Sequence, residues 1–70
     1  MAVSLEQAIE IHAKALKSTH GRWAPVKARF RAAQLAESGD HEGRVVWERV
    51  AEVADSMLQQ EALKAPKTEA

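Results

Sequence analysis

Apolar positions recur along this chain at intervals of three and four residues, in three stretches punctuated by glycine and proline, and that spacing predicts three helices. In the first stretch Leu5, Ala8, Ile9, His12, Ala15, Leu16 and Thr19 share one side, while Glu6, Glu10, Lys14 and Lys17 fall on the other. Ser4, followed three residues later by Gln7, forms a capping-box pattern in which hydroxyl and amide each satisfy a backbone N–H that the first turn leaves free. Gly21 supplies the residue that closes a helix, so the first helix is expected over residues 4–20.

Pro25 suits the first turn of a second helix, where its missing N–H costs nothing and its fixed φ is already helical. Over residues 25–38, Val26, Phe30 and Ala33 form one stripe that Ala28, Ala32 and Leu35 widen, with Lys27, Arg31 and Gln34 turned to water. Arg29 falls inside the apolar arc, where a guanidinium needs an interhelical carboxylate or must lay its stem along apolar surface. Gly39 ends this helix and Asp40 is an N-cap for the next, so the link is short and the neighbours are expected to be antiparallel.

The third helix is expected over residues 41–63, with Val46, Val50, Val53 and Met57 central on one face and Trp47, Ala51, Ala54 and Leu58 beside them. Arg44, Glu48, Arg49, Glu52, Asp55 and Gln59 occupy the opposite side. Pro66 stops the helix and the polar segment 65–70 is expected to be disordered. The expected fold is all-α: a small antiparallel three-helix bundle in residues 1–64 with a disordered C-terminal tail. Its expected core is Leu5, Ile9, Leu16, Val26, Phe30, Val46, Trp47, Val50, Val53, Met57 and Leu58. The wide apolar face of the third helix also allows burial against a second copy of the chain, a homodimer. The segment 32–43, Ala-Ala-Gln-Leu-Ala-Glu-Ser-Gly-Asp-His-Glu-Gly, resembles the join between helices in tetratricopeptide-type repeats, a resemblance that implies a tight helical turn and no function.

Composition narrows the class without changing the helical picture. Seventy residues make one domain at most, with a thin margin of stability. A hydrophobic fraction of 46%, much of it alanine and only 4% of the chain aromatic, favours closely packed helices over a sheet. There is no cysteine, so neither a disulfide framework nor a thiolate zinc site is available, and no leader-like or membrane-spanning apolar run is read. These features lead to the expectation of a cytoplasmic protein that does not enter a membrane.

Charge is more informative in its placement than in its total. Ten basic and ten acidic residues cancel, yet residues 12–36 hold six cations (Lys14, Lys17, Arg22, Lys27, Arg29, Arg31) and no acid. Residues 37–63 reverse the balance, with seven acids against Arg44 and Arg49. Such segregation draws helices together, attracts a charged partner or pairs two copies.

Candidate chemistry is sparse. The serines have capping, turn or surface roles, there is no glycine-rich phosphate loop, and the carboxylate pairs Glu6/Glu10 and Glu48/Glu52 lie on polar faces, so catalysis is not expected. No two of His12, His20 and His41 have the i,i+4 spacing that sets two imidazoles on one helical face, so neither metal nor other cofactor is expected. His12, within the first apolar arc, is expected as a buried polar group that finds a partner on a neighbouring helix or acts as a pH switch, and Arg29 as a second buried polar group. The candidate binding surface surrounds the first inter-helix turn, where Lys17, His20, Arg22, Trp23, Lys27 and Arg31 gather cations around an indole. The functional expectation is a small non-enzymatic interaction module, a regulator or accessory subunit that binds another protein through a charged helical surface. The alternative is weak nucleic-acid binding through the same turn and the second helix, although the acids of the third helix make a helix–turn–helix reader a poor fit.

Overall fold

The computed structural model describes residues 4–64, and the tail expected to be disordered lies outside them. All regular structure among the described residues is helical: α1 over Leu5–His20, a single 3₁₀ turn over Gly21–Trp23, α2 over Ala24–Glu37 and α3 over His41–Lys64. Each α-helix begins and ends within one residue of its expected limits.

The boundaries are set by backbone chemistry that the side chains announce. At the start of α1 the Gln7 N–H donates to Ser4 Oγ at 3.1 Å and the Ser4 N–H donates to Gln7 Oε1 at 3.2 Å, a complete capping box. Gly21, with φ 60° and ψ −132°, closes the helix by donating its N–H to the Lys17 carbonyl. That conformation belongs to glycine. The 3₁₀ turn then feeds straight into α2, whose Ala24 N–H donates to the Gly21 carbonyl, so α2 starts without a side-chain cap and with Pro25 in its first turn.

Between α2 and α3 the reversal is a Schellman motif. The Asp40 N–H donates to the Leu35 carbonyl at 2.9 Å and the Gly39 N–H to the Ala36 carbonyl at 3.1 Å, with Gly39 at φ 86°. The Asp40 carboxylate also accepts from the Gly43 N–H at 2.9 Å and so caps α3. One residue thus ends one helix and begins the next, and the chain reverses almost in place.

α3 is the element on which the other two rest. It packs most extensively against α2 and next against α1, whereas α1 and α2 touch each other least. Arg49 of α3 reaches Glu6 near the start of α1, and Glu61 near the end of α3 meets Lys17 near the end of α1, so α1 and α3 run in the same direction. The assembly is broad and thin, 49 × 32 × 16 Å, with a radius of gyration of 13.7 Å where about 11 Å describes a compact chain of this length.

The core departs from the sequence expectation. Its buried residues are Ile9, Ala13, Ala24, Ala28, Val50, Ala51 and Ala54, drawn from all three helices, and Val50 is the largest of the fully buried side chains. Leu16, Val46, Trp47, Val53 and Met57 pack around that cluster while remaining partly open, and Leu58 is likewise half-buried. Three expected core residues are outside: Leu5, Val26 and Phe30 are 62%, 49% and 65% exposed.

The reason is that α2 carries two competing stripes. Val26 and Phe30 lie on one side, whereas Ala24, Ala28 and Ala32 recur every fourth residue on the other with Pro25 beside them. α3 presents Ala51 and Ala54, and small side chains on both partners permit a close approach of the backbones that bulky ones would prevent. α1 shows the same choice more mildly. Its contact side is centred on Ile9 and Ala13 instead of on His12, and Ile11 points away at 60% exposure.

Stability measurements test this core and its turn. Phe30→Ala should change the unfolding free energy by no more than about 0.5 kcal/mol, whereas Val50→Ala should cost about 2 kcal/mol, both read by urea denaturation. A large loss for Phe30→Ala would return that ring to the core. Gly39→Ala should cost about 1–2 kcal/mol, because alanine resists the left-handed backbone that the Schellman turn requires; unchanged stability would mean the turn can be rebuilt another way.

Candidate interaction surface

The residues expected to form one basic corner are divided by the fold between two surfaces. Lys14, Lys17 and Arg22 line a groove between the end of α1 and the end of α3, facing Ser18, Leu58 and Glu61. Lys17 is ion-paired to Glu61 there, its side chain mostly covered, so one of the corner's cations is already neutralised. His20 is half-buried at the C-terminus of α1, where the helix dipole favours a cation.

Trp23 and Lys27 belong to the second surface, on the side of α2 turned away from the core, where they line a shallow apolar depression with Val26 and Phe30. Trp23 is 57% exposed, and the Arg22 guanidinium stands 5.7 Å from its ring centroid, a cation–π contact that covers part of the indole. Arg31 is exposed one turn further along α2 and reaches Gln34 Oε1 at 3.5 Å, the limit of a hydrogen bond. Val26 and Phe30 are the members that sequence reasoning missed, because it weighed the stripes of α2 by the size of their apolar residues. The available signal was the four-residue alanine repeat, which offers an equally periodic face at closer range.

Electrostatics separates α2 from its neighbours. The ion pairs among the described residues lie on α1 and α3: Lys17 with Glu61, Arg44 with Glu48 at 2.9 Å, and Arg49 with both Glu52 at 3.1 Å and Glu6 at 3.4 Å. Hydrogen bonding to Glu52 and then to Glu6 raises the Arg49 pKa above its already high ordinary value. That shift has no consequence in the working pH range because the guanidinium is charged throughout it. None of Arg22, Lys27, Arg29 and Arg31 has a carboxylate within 4 Å among the described residues.

Neither expected buried polar group is buried. Arg29 is exposed at the rim of the groove between α2 and α3, with Glu48 and Glu52 lining the same groove but forming no ion pair with it. The displacement has the same cause as that of Phe30: once alanines take the contact side, Arg29 lies at its edge and keeps its water. His12 is also exposed, and its partner is its own helix, Nδ1 donating to the Ala8 carbonyl at 3.1 Å. Its ring stands edge-on to Trp47, centroids 5.8 Å apart at 85°. The rotation of α1 toward Ala13 is what frees it.

Among the described residues no three His, Asp or Glu side chains gather in a way that could hold a metal ion, and no helix is long and apolar enough to cross a membrane. The outer side of α2 presents three large apolar side chains in line, with cations beside them.

The His12–Trp47 contact gives a spectroscopic test of this arrangement. In a Trp23→Phe variant, His12→Ala should change the fluorescence emission of Trp47, because the substitution removes the ring that stands edge-on to the indole; an emission indifferent to that substitution would separate the two rings. No family model matches the chain, and no curated protein or solved structure matches it either.

Proposed function

We propose that this protein is a small non-enzymatic helical interaction module, a cytoplasmic regulator or accessory subunit that binds another protein through the outer face of α2. The observation that carries this reading is the exposure of Trp23, Val26 and Phe30 together on one helical face, in a chain whose core is built mainly from alanine. A domain with so little apolar area to bury nevertheless leaves both Phe30 and Trp23 in water. Their burial against a partner is worth more than most single contacts, since aromatic anchors dominate the energetics of protein interfaces.

The reading treats α1, α2 and α3 as one antiparallel three-helix unit that acts as a rigid support. The shared direction of α1 and α3 and the tight reversal at Gly39 and Asp40 support that treatment. The cysteine-free sequence suits a reducing compartment.

A nucleic-acid reading has one observation in its favour: Trp23 is exposed within a stretch, residues 12–36, that carries cations and no acid. Against it stand the pairing of Lys17 with Glu61 and the acids Glu48 and Glu52 beside Arg29, which break any continuous basic track for phosphates.

A two-dimensional amide NMR titration with a mixed single-stranded nucleic-acid pool, at low and then physiological salt, decides between them. The protein-module reading expects no shifts, or shifts that physiological salt erases. Shifts confined to residues 17–31 that survive physiological salt would overturn it in favour of nucleic acid.

A further inference from the structure

Resting on the reading of α2 as a protein-binding face, we infer the chemistry of its partner: an acidic amphipathic helix that lies along α2, seats its apolar side chains on Trp23, Val26 and Phe30, and sets its carboxylates against Lys27 and Arg31. The spacing of the three anchors is i, i+3, i+7, the pattern by which one helix meets another, and they extend over roughly 10 Å, about two helical turns. A flat, largely continuous ridge of this kind matches the side of a helix better than a single inserted loop.

Charge selects the occupant. Among the described residues no carboxylate lies within 4 Å of the cations of α2, while Arg44 and Arg49 of α3 are paired within the molecule. A second copy of this chain placed α2 against α2 would bring Lys27 and Arg31 toward the same residues of its partner, a repulsive arrangement. A single strand of nucleic acid would find one side of the indole partly taken by Arg22 and an aliphatic residue, Val26, between the two rings that should stack. A helix that carries glutamates or aspartates beside an apolar stripe meets all three features: it covers the ridge, supplies the missing carboxylates and requires no stacking geometry.

The test uses the full chain and three probes: two short amphipathic helical peptides with one common apolar face, flanked by glutamates in one and by lysines in the other, and a single-stranded oligonucleotide. Affinities are read by calorimetry and the site by amide NMR at physiological salt. The glutamate peptide should bind about tenfold or more tightly than the lysine peptide, as two or three exposed charge pairs would give, and should shift residues 23–31. Phe30→Ala should abolish binding while leaving the fold intact, since that ring is outside the core. Lys27→Glu combined with Arg31→Glu should reverse the preference between the two peptides.

Equal affinity for the two peptides overturns the acidic partner and leaves α2 standing as a protein-binding face. Failure of both peptides to bind overturns the helical partner as well, and the nucleic-acid titration then judges the broader reading separately. Oligonucleotide binding through residues 23–31 in preference to either peptide overturns both proposals. So do concentration-dependent shifts of those residues in the protein alone, which would assign the face to a second copy.

Discussion

The structure depends on close approach between helices through alanine. Ala13 of α1, Ala24 and Ala28 of α2, and Ala51 and Ala54 of α3 are fully or almost fully buried, and they form the surfaces along which the three helices meet. A small side chain contributes little transfer free energy by itself, so such a seam gains its stability from backbone proximity and dense contact more than from apolar area. It also leaves no room for a ring. Once α2 turns its alanines inward, its helical period carries Val26 and Phe30 to the outside, and the exposed ridge is a geometric consequence of the seam.

The remaining contacts hold this thin assembly in register. The paired use of Asp40, as an acceptor for the Gly43 N–H and as a donor to the Leu35 carbonyl, fixes the angle at which α3 leaves α2. Ion pairs at either end of α1 fix its alignment with α3, and because these pairs are largely exposed each is a minor contributor to stability. Their effect is on arrangement: they pair Lys17 and Glu6 of α1 with Glu61 and Arg49 of α3, and among the described residues the cations of α2 enter no such pair.

The proposed binding ridge on such a scaffold has a clear physical logic. The residues to which the proposal assigns contact with a partner contribute least to holding the helices together, so the ridge can vary in chemistry without unfolding its support. The seam has the opposite character, since a larger residue at Ala28 or Ala54 would force the helices apart. The fold and the proposed function therefore rest on separate sets of residues on the same helix.

Local sequence determined the helices themselves. Ser4 with Gln7, Pro25, Gly39 and Asp40 place starts and stops through hydrogen bonds and backbone angles that need no distant partner, which is why the limits of α1, α2 and α3 were legible. Trp23 and Lys27 were legible as surface candidates for a similar reason, lying at the edge of a turn in an acid-free stretch. Which side of each helix faces inward was not. α2 carries a large apolar stripe and a small one with equal periodicity, and only the alanines that α3 presents decide between them, exposing Phe30 and Val26 and leaving Arg29 at a rim. The pairing of Lys17 with Glu61 likewise joins residues far apart in the chain, so its removal of one cation from the expected basic corner was visible only in the tertiary structure. Helix limits follow from interactions within a few residues, whereas burial is settled by the fit of one helix against another.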